Sequence, residues 1–232
     1  MKLAELAFAC YIYGKFADSN SSYLQFLDNT SPQLDLNNEN HRIALLNWLN
    51  EWGCRQFAIA YHGLASEEIR SWFQDLGDQF FPLDKSLIDF SDYDFASVIT
   101  AYTGLVNRIA SKRLSRNEGQ SEVTFGPTGT AKILFAIRPN AMIPWDDAMR
   151  TNFQLDGSAG DYVKFLKKVR NNLEELNEIC IRSGHRLSDL PELVGKPKYS
   201  LTKLMDEYHW VTITRNCPAP TRQELNQWAL WW

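Results

Sequence analysis

Cysteine is sparse in this chain and arranged to little chemical purpose. Cys10, Cys54, Cys180 and Cys217 form no Cys-x-x-Cys pair, which argues against a zinc site and against a four-cysteine iron–sulfur cluster. Free thiols in a reducing compartment are the simplest reading, so the expected location is cytoplasmic. The histidines His41, His62, His185 and His209 share no metal-ligand spacing. No Ser/His/Asp or Cys/His signature stands out either, so neither a metal nor a cofactor is expected. Long apolar runs are also missing. The stretch Leu3 to Tyr13 is interrupted by Glu5 and is followed by no obvious small-residue cleavage site. It reads as a core helix rather than a signal peptide, and nothing approaches a membrane span. Positive charge is not in excess: a net charge of −4 argues against a general nucleic-acid coat protein. Internal repeats, low-complexity tracts and interdomain linkers are absent. The expectation is one helical domain over residues 1–232, divisible at most into two lobes.

Large aromatic side chains are plentiful. Thirteen Phe and eight Trp are enough to fill a core and to line a pocket. Charge is distributed unevenly. Residues 1–100 hold 6 Lys/Arg against 14 Asp/Glu, residues 101–172 hold 11 against 6, and residues 173–232 hold 7 against 8. A basic middle on an otherwise acidic chain suits one nucleic-acid-facing surface. Lys164, Lys167, Lys168 and Arg170 equally suit the solvated face of a helix.

Helical periodicity dominates. Helices are expected over residues 2–17, over His41 to about Tyr61, and from Ser66 to about Leu76. Ser91–Asp94 opens another, with an apolar stripe through Phe95, Val98, Tyr102 and Leu105. A long helix should run from Ser158 to about Ser183 and close at Gly184. Shorter ones fit Leu187–Leu193, Ser200–Trp210 and Thr221–Leu230. The polar stretch Asn20–Glu39 reads as a loop and Ser115–Gln120 as a break. Clustered β-branched residues suggest a strand at Trp210–Ile213. The string Trp228 to Trp232 should dock onto the core. The class expected is all-α: two helical lobes with a cleft.

The most informative segment is Gly126-Pro127-Thr128-Gly129-Thr130-Ala131-Lys132, which opens an apolar helix ending near Pro139. Pro144-Trp145-Asp146-Asp147 follows, with Arg150 one turn on. Glycines at a helix entrance let backbone N–H groups approach a phosphate. The aspartate then falls where a carboxylate could face the same ligand. On its own, Asp146 also fits an ordinary N-cap, and Asp147 a first-turn helix acid.

This pattern, over residues 122–152, resembles the helix-hairpin-helix DNA glycosylases. Their hairpin commonly reads Gly-x-Gly-x-x-Thr-Ala and is followed by Val-Asp or Pro-x-Asp. The matching residues here are Gly126, Gly129, Thr130, Ala131, Pro144, Asp146 and Arg150. Val123-Thr124-Phe125 stands where the usual Leu-Pro-Gly start would be. The resemblance implies DNA as partner and a reaction that removes a damaged or modified base, such as an altered base of phage DNA. It gives Asp146 the role of stabilising the developing sugar cation and orienting water. Gly126, Thr128, Gly129, Thr130 and Arg150 become candidates for the DNA phosphates, and Trp145 for the base pocket. Some members carry a nucleophilic lysine just before Thr-Ala. Gly129 occupies that place, which implies a monofunctional enzyme leaving an abasic site. Lys132, one helical turn later, is the candidate for a Schiff-base step if there is one. Trp48 and Trp52 read as core, and Arg138 as a partner for phosphate or for Asp146. The rival readings are a non-catalytic helical DNA-binding protein and a helical interaction module without nucleic acid.

Overall fold

Buried leucines and aromatic rings at helical spacing set the architecture. The computed structural model describes residues 1–76, 80, 82, 84–115, 119–218 and 220–229. In chain order the helices are α1 (Leu3–Tyr13), α2 (Ala17–Asn29), α3 (Glu39–Glu51), α4 (His62–Leu76), α5 (Asp92–Val106), α6 (Gly126–Ile137), α7 (Asp147–Phe153), α8 (Ala159–Arg182), α9 (Leu190–Leu193), α10 (Leu201–His209) and α11 (Arg222–Ala229). One antiparallel hairpin, β1 (Ile109–Ser115) with β2 (Gly119–Thr124), precedes α6. The protein is thus mostly helical. A continuous apolar cluster reaches from Leu6 on α1 to Met205 on α10. None of the described helices is long and apolar enough to cross a membrane.

Where caps and stripes coincide, sequence and structure agree. Ser91 and Asp94 form a reciprocal capping box at the start of α5. Ser158 caps α8, and Gly184 follows its end at φ +76°. Elsewhere tertiary contacts override local preference. The stretch read as a loop holds most of α2, because Tyr23 and Phe26 bury their rings against Trp48 despite the polar residues around them. The helix expected to reach Tyr61 ends at Glu51, and Gly53 turns the chain at φ +81°. The next helix starts four residues before Ser66, at His62. Ser66 lies buried within it, accepting a 2.7 Å hydrogen bond from Arg42 Nε.

The mostly helical structure agrees with the all-α expectation, and the first correction is local. The stretch read as a break holds strand residues, Ser115 at the end of β1 and Gly119 and Gln120 at the start of β2, and the two strands carry too few apolar residues to alternate visibly. A second correction concerns Trp210–Ile213. These residues lie in a π-helical extension of α10, Trp210–Thr214, rather than in a strand. The last three residues of the terminal aromatic string, and the side chain of Trp228, lie outside the described residues.

Candidate functional site

Gly126 opens α6 at φ +64°, a conformation that favours glycine, and Pro127 follows in the first turn. The Pro127 carbonyl is a hub. Trp145 Nε1 donates to it at 3.0 Å, and Tyr102 OH lies 3.5 Å away while donating to Gly157 O at 2.8 Å. These bonds tie the entrance of α6 to the segment before α7. Asp146 is then the N-cap of α7: Met149 N–H donates to Oδ1 at 2.8 Å. Thr214 Oγ1, at the end of the π-helical stretch, donates to Oδ2 at 2.7 Å. The cap and this long-range bond within the chain together hold the carboxylate at the edge of a cleft.

That cleft is a cavity of about 460 Å³, within the size range of small-molecule sites. Its walls include Tyr13 of α1, Glu51 and Trp52 at the end of α3, Thr128 and Lys132 of α6, Pro144 to Asp147, Met149, Asp206 of α10 and Trp210. Four carboxyl groups and one ammonium thus face a partly aromatic chamber. Lys132 is nearly buried; its Nζ donates to Trp52 O at 2.5 Å and lies 5.6 Å from the Trp52 ring centroid. Below the cavity, fully buried Lys203 contacts the rings of Tyr13 (4.2 Å) and Trp52 (5.1 Å) and donates to Asp206 Oδ2 at 2.9 Å. Burial pushes the Asp206 carboxyl up, against the opposing pull of Lys203. Lys203 itself also sits high. Burial works against its charge but is outweighed by Asp206 and the neighbouring Tyr13 and Glu207.

The structure therefore gathers four of the sequence candidates, Asp146, Lys132, Thr128 and Trp145, around one cavity. Trp145 keeps only an edge there. It is 1 % exposed and packs among Tyr102, Tyr162 and Phe165. The other aromatic residues on the cavity wall are Tyr13, Trp52 and Trp210; the sequence assigned Trp52 to core and Trp210 to a strand. Gly129 and Thr130 are buried, Gly129 against Gln56 and Phe57, so neither reaches a phosphate in this arrangement. Arg150 lies over the Trp145 ring and bridges Thr128 Oγ1 (2.9 Å) to Asp147 Oδ1 (3.0 Å), while Gly126 stays partly exposed. Arg138, at the far end of α6, stacks on Phe80 and is remote from the cavity-lining set; burial lowers its pKa to about 10. Asp206, Glu51 and Tyr13 carried no motif, and only the fold brings them to the site.

Among the described residues no cluster of His, Cys, Asp and Glu could hold a metal ion. Cys10 and Cys54 are buried and their thiols pushed up by that burial, Cys10 to about 12, so neither is an activated nucleophile. Comparison of the chain with protein-family models, with curated proteins and with solved structures yields no match.

Proposed function

We propose that this chain is a DNA glycosylase of the helix-hairpin-helix type, with two helical lobes flanking the cleft. It would hydrolyse the N-glycosidic bond of a damaged or modified base and leave an abasic site. The observation that carries the reading is the convergence of Asp146 and Lys132 on one chamber walled by Trp52, Trp210 and Tyr13. A base swung out of the stack needs flat apolar walls, and the sugar it leaves develops positive charge at C1′. Glu51, Asp146 and Asp147 against the single Lys132 give the chamber the matching sign. A carboxylate offers about four lone-pair positions, and Asp146 uses two on Met149 and Thr214. The others serve a water that attacks C1′ as the bond to the base breaks, the water's proton passing to Asp146. Thr128 accepts from Arg150 and keeps its own hydroxyl proton for a backbone phosphate at the rim.

The same two bonds to Asp146 favour a second reading, a non-catalytic DNA-binding protein in which the carboxylate only caps α7. Abasic-site formation separates the two. Wild type and Asp146→Asn are incubated with duplexes carrying oxidised guanine, hypoxanthine, N7-methylguanine or hydroxymethylcytosine. The expected result is base release by wild type that falls about 10²–10³-fold in the variant. Absence of product from wild type on every duplex, with binding that weakens steeply as salt rises, would establish the binding protein instead. Strand cleavage without added base, trapped by borohydride and lost in Lys132→Gln, would assign Lys132 the Schiff-base step.

A further inference from the structure

Of the four carboxyl groups at the cavity, Asp206 is the buried one. Asp206 reaches the wall from α10 and is 5 % exposed. Its Oδ2 is fixed by Lys203 Nζ at 2.9 Å. No described residue donates to Oδ1. Fixing one oxygen and leaving the other open orients a carboxyl group toward a ligand without satisfying it.

Resting on the glycosylase reading, we propose that Asp206 is the general acid of the reaction, protonating the departing base while Asp146 faces the sugar. The proton on Asp206 Oδ1 passes to a ring nitrogen or exocyclic oxygen of the base. The C1′–N bond breaks and its electron pair stays with the base, which leaves neutral. Water oxygen bonds to C1′, its proton goes to Asp146, and Asp206 recovers a proton from solvent.

The surroundings suit that division of labour. Lys203 and Glu207 flank Asp206 on α10, Tyr13 faces it from α1, Tyr23 from α2 and Lys132 from α6. Burial is the largest influence and favours the protonated form, which the nearby ammonium groups oppose without reversing it. Two carboxyl groups in one chamber, one buried and one at a helix cap, can hold different protonation states, as acid and stabiliser must.

The test exploits leaving groups of different charge. N7-methylguanine is already cationic and departs without an acid, whereas hypoxanthine and oxidised guanine need one. Base release by wild type, Asp206→Asn and Asp206→Glu is followed across pH on the panel above. On neutral bases, wild type should slow as pH rises through the acid's titration, and Asp206→Asn should lose about 10²-fold or more together with that limb. On N7-methylguanine, Asp206→Asn should stay within a few-fold of wild type, whereas Asp146→Asn fails on every base. Asp206→Glu should retain the alkaline limb. Equal losses on neutral and cationic bases, no loss on either, or a wild type that releases only the cationic base would each overturn the role. Should Asp206→Asn not fold, the wild-type comparison decides alone: an alkaline limb on neutral bases only supports the acid, and the same limb on both, or on neither, overturns it. Absence of any base release by wild type removes the glycosylase reading itself, and Asp206's role with it.

Discussion

A Cβ built on Gly129 would lie 2.7 Å from Gln56 Nε2 and 2.9 Å from the Phe57 ring. Gln56 is not free to move, since its Nε2 donates to Phe125 O at 2.9 Å. The glycine is thus explained by packing between α6 and the turn after α3 rather than by access to a phosphate. Gly129→Ala should destabilise the fold by about 1–3 kcal/mol through overpacking, read as a lower urea midpoint with an unchanged slope. Adding Gln56→Ala should recover part of the loss. The residue-level signal in the sequence was real, because glycine is demanded at 126 and 129. The reasons differ at the two places: positive φ at Gly126 and lack of space at Gly129. Asp146 was legible for the opposite reason, since a cap and a cleft carboxylate require the same residue in the same place. Asp206 was not legible, because the residues it shares the cavity with, Tyr13 and Lys132, are distant in sequence.

At the level of elements, legibility followed the caps. Ser91 accepts from Asp94 N–H while Asp94 Oδ2 accepts from Ser91 N–H at 2.7 Å, and Lys85 closes the network at 2.8 Å. Ser91→Ala should cost about 1 kcal/mol, seen in a thermal melt. On the proposed function it should leave base release unchanged, because no α5 residue lines the cavity. α2, the hairpin and the π-helical stretch escaped notice because each is held by neighbours rather than by its own pattern. Tyr23 and Phe26 secure α2 on α3. Ser111 Oγ donates to Gln56 O at 2.7 Å and anchors β1. The π-helical register carries Trp210 into the cavity wall and Thr214 onto Asp146, and such irregular turns recur at functional sites.

Across the whole molecule, several cations of the basic middle are paired with acids. Lys164 pairs with Asp161, Lys167 with Asp92, Arg170 with Glu174, and Arg108 with Glu68 and Asp75. Acid stability turns on His209, buried among Phe153, Phe165 and Tyr208 with Nε2 unpartnered. Burial, aided by Lys168, lowers its pKa to about 4. An unfolded histidine protonates near 6.5, so its contribution is complete above that pH and is lost as pH falls toward 4. The loss should approach about 3 kcal/mol, measured as the difference between wild type and His209→Leu in urea unfolding at neutral and acid pH. The cavity itself joins distant parts of the chain: Lys132 reaches back 80 residues to Trp52, and Thr214 reaches back 68 to Asp146. A growing polypeptide cannot complete such a chamber early. Until α10 and its π-helical end leave the ribosome, Tyr13 lacks Trp210 to pack against and Asp146 lacks Thr214. The chamber therefore closes only when residue 214 has folded home, and the nascent chain keeps its apolar walls open to aggregation over that interval.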